Sequence, residues 1–80
     1  MQETIRERIR GAFAEVCKLD KAELQDDVLV QQELGIDSLL GLQLLAKCEQ
    51  LLGVEINEDG CADLDTVGEF LDYFQEAANS

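Results

Sequence analysis

In the segment Leu34-Gly35-Ile36-Asp37-Ser38-Leu39-Leu40 an apolar loop turns into a helix, with Asp37 as a capping side chain and Ser38 at the first helical position. A first helical turn carries N–H groups without intrahelical partners, and together with the helix dipole they favour a phosphate by about 0.3–1 kcal/mol. Ser38 is therefore suited to bear a phosphodiester, its hydroxyl expected at an exposed helix end. It is poorly suited to attack a substrate itself. Serine nucleophiles need a neighbouring general base, the chain has no histidine, and the lysine Lys47 lies well along the same helix. The chain is read as a substrate of enzymes and not as an enzyme. In the structural alternative Asp37 and Ser38 are only an N-cap pair, which explains two polar residues but not the residues around them.

A second constellation is Glu55-x-Asn57-x-Asp59-Gly60, where oxygen side chains alternate before a glycine as in a calcium-binding EF-hand loop. The position that needs a bidentate glutamate is Thr66, the first position is Glu55 instead of aspartate, and no long helix precedes it. Acidic loops of this kind bind divalent ions weakly without being sensors. Cys17, Cys48 and Cys61 are odd in number and form no C-x-x-C pair, so no disulfide framework or zinc site is read and no metal is expected. Each falls in or beside an apolar pattern, as small core residues do. A reducing, intracellular setting fits, and a cytoplasmic location is expected.

Positioning these residues is the task of a short all-helical chain. Ile5, Ile9, Phe13 and Val16 recur at helical spacing and predict an amphipathic helix over about residues 4–17, capped by Thr4 or Gln2. From Lys18 to Ile36 the periodicity fails, yet Leu24, Val28, Leu29, Val30, Leu34 and Ile36 keep the segment apolar. This predicts a long ordered loop with one turn at Lys21 to Leu24. The second helix starts at Asp37 or Ser38 and ends at Leu52, with Gly53 as a left-handed C-cap and Gly41 costing about 1 kcal/mol relative to alanine. Val54 and Ile56 continue as an extended piece, and a short helical turn is expected around Gly60 to Leu64. Thr66 and Glu69 form a capping box that opens the last helix through Val67, Phe70, Leu71 and Phe74. The fold class expected is all-α: a small four-helix bundle of three main helices and one short one, with a long ordered loop between the first two. Residues 1–80 make one domain, 77–80 being a fraying tail, and no strand pairing is expected.

Charge narrows the partners. The chain has a net charge of −12. Residues 1–21 are nearly balanced, whereas beyond them Lys47 is the single cation among the carboxylates. Such a molecule repels phosphate backbones and anionic lipid, which excludes nucleic acid and membrane surfaces and favours basic patches on other proteins. No apolar run approaches the roughly 18 residues needed to span a bilayer. A monomer is the default.

With these features in place, the chain resembles the acyl carrier protein family along nearly its whole length. The resemblance is carried by Leu34-Gly35 before the triplet Asp37-Ser38-Leu39, the amphipathic first helix and long loop, the Gly53-Val54-Glu55-Ile56 exit and the Thr66-Val67 start of the last helix. It implies that Ser38 receives 4′-phosphopantetheine from coenzyme A by a separate Mg-dependent phosphopantetheinyl transferase. It also implies that Asp37 helps position metal and coenzyme during that transfer. The arm's terminal thiol would then carry acyl groups as thioesters between acyl-transferring and chain-processing enzymes, for fatty acid, specialised lipid or polyketide biosynthesis. Leu44, Cys48, Ile56, Cys61, Ala62 and Leu64 are the candidate wall of an acyl pocket, or ordinary core. On the second helix Leu39, Leu40, Gln43, Lys47 and Glu49 are the candidate docking residues. Where fatty acid carriers usually present acids, this chain has Leu40, Gln43 and Gln50, so a more apolar, less salt-sensitive docking is expected. A peptidyl, aryl or D-alanyl carrier, which loads through adenylating enzymes, remains the alternative within the class. Outside it stand an acidic calcium-binding protein and an interaction bundle without a prosthetic group.

Overall fold

Three sets of local signals build the helices, and one long loop ties them together. The computed structural model describes residues 4–79, except for the side chains of Ser38 and Ala62. Among the described residues the α-helices are α1 (Ile5–Cys17), α2 (Ser38–Leu52) and α3 (Val67–Ala78), with 3-10 segments at Lys21–Glu23 and Glu58–Asp63. No helix among them is long and apolar enough to cross a membrane.

Thr4 caps α1, its hydroxyl oxygen accepting from the Glu7 N–H at 3.2 Å. At the other end Lys18 takes a left-handed conformation (φ 59°). Gly53 closes α2 as expected, with φ 69° and its N–H donating to Glu49 O at 2.8 Å. The Thr66–Glu69 capping box opens α3. Ile9, Ala12 and Phe13 of α1 meet Leu44, Leu45 and Cys48 of α2 and Val67, Phe70, Leu71 and Phe74 of α3 in one buried core. Phe13 and Phe70 pack edge to face at 5.7 Å.

The loop from residue 18 to 37 is ordered because it buries side chains and because its backbone finds partners. Leu24, Val30 and Ile36 sit in the core. The N–H groups of Val30, Val67 and Gly68 donate to Asp65 O, Val28 O and Asp26 O, each at 2.9 Å. Leu29 and Thr66 form an isolated antiparallel bridge, a pairing the apolar pattern does not announce. Arg10 donates to the Leu24 carbonyl and to Asp26, and Arg6 donates to Asp26 and Asp72, so cations of α1 clamp the loop and α3 together.

One expectation needs correction. The short helix expected around residues 60–64 is the six-residue 3-10 segment Glu58–Asp63, which begins earlier because the Asn57 side chain caps it by accepting from the Asp59 N–H at 2.9 Å. Residues 77 and 78 belong to α3, and the Asn79 N–H donates to Gln75 O and Glu76 O. Ala77 packs against the core. Ser80 lies outside the described residues.

Candidate functional site

The start of α2 is held by the loop that delivers it. Gly35 adopts φ +66°, a left-handed turn that other residues take only with strain. Next to it Ile36 is buried, its N–H donating to Val30 O at 3.0 Å. Anchored there, the chain leaves Asp37 exposed with its Oδ1 accepting from the Leu40 N–H at 2.9 Å, an N-cap as expected. The Asp37 carbonyl accepts from the Gly41 N–H at 2.9 Å. Ser38 is the first residue of α2. The expected exposure of its hydroxyl falls on a side chain outside the described residues.

Beside this helix start lies an open cavity of about 410 Å³. Asp37, Gly41, Leu42 and Leu45 of α2 form one side of it. Val30, Gln31 and Ile36 of the loop, and Phe70 of α3, form its back. Glu58, Asp59, Cys61 and Leu64 complete the wall from the 3-10 segment and the residue after it. That segment is pinned by Tyr73, whose hydroxyl donates to Asn57 O at 2.6 Å while its ring lies where a Cβ on Gly60 would be. Only glycine lets the segment approach α3 this closely.

Of the residues expected to wall an acyl pocket, Cys61 and Leu64 line the cavity. Leu44, Cys48 and Ile56 lie instead in the closed core. The side chain of Ala62 is outside the described residues. Gly41, Leu42, Leu45 and Phe70 are cavity residues that sequence reasoning passed over. Leu42 carried a readable signal, three positions after Leu39 on the same helix face.

The expected docking residues divide in the same way. Leu39 is 64% exposed and Gln43 is exposed, and Leu42, at 50%, extends their patch. Leu40 packs partly against the core. Lys47 pairs with Glu15 at 3.2 Å, and the Glu49 carboxylate accepts from the Ile56 N–H at 2.9 Å, so both have partners within the chain. The surface of α2 is poor in acids in a strongly acidic molecule.

The cysteines among the described residues are not activated nucleophiles. Burial pushes the Cys48 thiol up to about 12, with Cys61 adding to the shift. Burial also raises Cys17, and burial followed by Glu58 raises Cys61. All three cysteines are free thiols, and at neutral pH these shifts keep them protonated and weakly nucleophilic. In the loop after α2, the Asn57 side-chain oxygen accepts from the Asp59 N–H and the Asn57 carbonyl accepts from the Tyr73 hydroxyl. Among the described residues no three acidic or cysteine side chains gather in a metal-holding group.

Residues 7–74 match the family model described as phosphopantetheine attachment site. The chain is also similar to an acyl carrier protein of Lactobacillus johnsonii, 30% identical over 78 residues that cover 98% of each chain. This chain belongs to the acyl carrier protein family. Family members are carriers, and the prosthetic group of the family's attachment site is 4′-phosphopantetheine. The residues present fit such a group. A carrier site needs a helix start that tolerates a phosphodiester and open space for what the arm carries. The Asp37-capped first turn of α2 and the cavity adjoining it supply these features.

Proposed function

We propose that this protein carries acyl intermediates on a 4′-phosphopantetheine arm joined through a phosphodiester to the Ser38 hydroxyl oxygen. The pathway class is fatty acid, specialised lipid or polyketide biosynthesis. The observation that carries this reading is the position of Ser38, first in α2 after an Asp37 N-cap and within the family match. When bound, the arm supplies a terminal thiol that forms thioesters. The chain's own residues hold the attachment point and shelter the cargo. Ile36 and Gly35 fix the approach of the loop, Asp37 orders the first turn, and its exposed carboxylate is the group we assign to positioning metal and coenzyme during arm transfer.

The cavity beside Gly41, Leu42, Leu45, Cys61, Leu64 and Phe70 supports a role in sheltering the acyl chain from water, each buried CH₂ contributing about 0.8 kcal/mol. In this reading the 3-10 segment Glu58–Asp63 stands for the short fourth helix of the bundle, and a chain reaching beyond the cavity would have to displace Leu44, Cys48 and Ile56. Partner enzymes, the transferase among them, dock on the α2 surface through Leu39, Leu42 and Gln43. Leu40 supports that patch, and Lys47 and Glu49 lie at its border. Because the patch is apolar, added salt should weaken docking only slightly, and a steep loss of partner binding with salt would contradict this.

The attachment is tested by incubating the purified protein with coenzyme A and a broad-specificity phosphopantetheinyl transferase and reading the intact mass. A gain of one phosphopantetheine is expected. A chain that stays unmodified overturns the carrier reading.

A further inference from the structure

Gly41 sits inside α2, where glycine is less favourable than alanine, and neither usual reason for a glycine applies there. Its backbone is not left-handed, since the positive-φ glycines among the described residues are Gly35 and Gly53. No close neighbour demands it, because a Cβ built at Gly41 meets nothing within 4 Å. The contrast with Gly60 and Gly68 is direct, as Tyr73 crowds one and Asp26 the other.

Gly41 stands on the core-facing side of α2. Residues 41, 44, 45 and 48 share one helix face, and Leu44, Leu45 and Cys48 of that stripe are buried. Gly41 itself lines the cavity. It also lies one turn along from Ser38, the proposed attachment point. A missing side chain on the inward face, at the cavity and next to the arm, costs helix stability and gains room.

We propose that Gly41 is the specificity-determining residue of this carrier: the absent side chain sets how long an acyl chain the cavity takes in. This inference rests on the acyl-carrier reading given above. Straight-chain acyl groups enter past Gly41 toward Leu45, Leu64 and Phe70, and any side chain at position 41 shortens the longest chain that is sheltered.

The test uses the full chain, loaded by the transferase from coenzyme A or from butanoyl-, octanoyl- or dodecanoyl-coenzyme A, each product isolated and verified by mass. Melting temperature and the amide chemical shifts of Leu64 and Phe70 are compared with those of the same variant bearing the free arm. In the natural sequence at least one acyl form should melt about 4 °C or more above the free-arm form and shift both amides. Gly41→Ala should melt higher than the natural sequence with the free arm, from its better helix propensity, yet gain less on acylation and lose the gain at a shorter chain. Gly41→Leu should show no acyl-dependent gain and no shift at Leu64 or Phe70. If no acyl form of the natural sequence melts higher or shifts these amides, the sheltering cavity itself is refuted. An acyl-dependent gain retained in full by Gly41→Leu refutes the role of Gly41 alone. Where Gly41→Leu fails to melt cooperatively, Gly41→Ala decides, and an undiminished gain at every chain length overturns the proposal.

Discussion

Asp37 has one observed duty and one proposed duty, and substitutions can separate them. As an N-cap its Oδ1 accepts from the Leu40 N–H, and asparagine performs that duty about as well as aspartate. As a charged group beside the proposed attachment point it has no neutral substitute. Asp37→Asn should therefore leave the urea midpoint nearly unchanged while slowing arm transfer by roughly tenfold or more, the scale typical of groups that help hold a metal. Asp37→Ala should add a loss of about 1 kcal/mol in stability. Transfer at the natural rate in Asp37→Asn would leave the residue with its cap alone. The cap was legible in the sequence, because capping is set by immediate neighbours. The pocket residues were legible only in part, at Cys61 and Leu64, since Leu44 and Leu45 are adjacent letters of like character, both buried, and only packing puts Leu45 at the cavity as well.

Among the elements, α3 and the loop that precedes α2 make the clearest contrast. The start of α3 was readable because Thr66 and Glu69 satisfy each other within one turn. The stapling of the loop to that same turn was not, because the partners Asp26, Val28 and Val30 are far away in sequence and pair through backbone groups that every residue carries. Gly68 marks this junction. A Cβ there would lie 3.0 Å from both the Cβ and the carbonyl oxygen of Asp26, while the Gly68 N–H donates to that same oxygen at 2.9 Å. Backbone yields less readily than a flexible side-chain tip, so the clash should outweigh alanine's better helix propensity. Gly68→Ala is expected to lose about 1–2 kcal/mol by urea unfolding, and stability equal to or above that of the natural sequence would mean the loop is not held as described. The 3-10 segment Glu58–Asp63 was legible only as a short turn around Gly60 to Leu64, and its bounds were not, for a similar reason. Its geometry depends on Tyr73 reaching Asn57 and on the small size of Gly60.

At the scale of the whole molecule, the pH dependence of stability follows from a few shifted groups. Hydrogen bonds from Arg6 and then Arg10 hold the Asp26 carboxyl below its usual value, and the N–H groups of Asp65 and Thr66 do the same for Glu69. A carboxyl lowered in the folded state contributes stability above its ordinary range and loses it as pH falls through the folded value. Asp26 is largely exposed, so the effect is modest, and Asp26→Asn should make the acid limb of an unfolding curve shallower below about pH 4. Cys48 acts in the opposite sense. Its thiol is raised in the folded state, so its contribution is complete below the ordinary thiol range and declines as pH climbs from there toward about 12. Cys48→Ala should flatten that alkaline limb, whatever it costs in packing at neutral pH. Limbs identical to those of the natural sequence would show that these groups do not govern the curve. The acidic balance was legible from composition alone, whereas the clamp of Arg6 and Arg10 on Asp26 needed the fold. The most direct test of the whole account is fragmentation mass spectrometry of the protein after reaction with coenzyme A and the transferase. The phosphopantetheine should be found on the peptide containing Ser38 and should be absent from Ser38→Ala. A group on any other residue, or one that persists in Ser38→Ala, would contradict it.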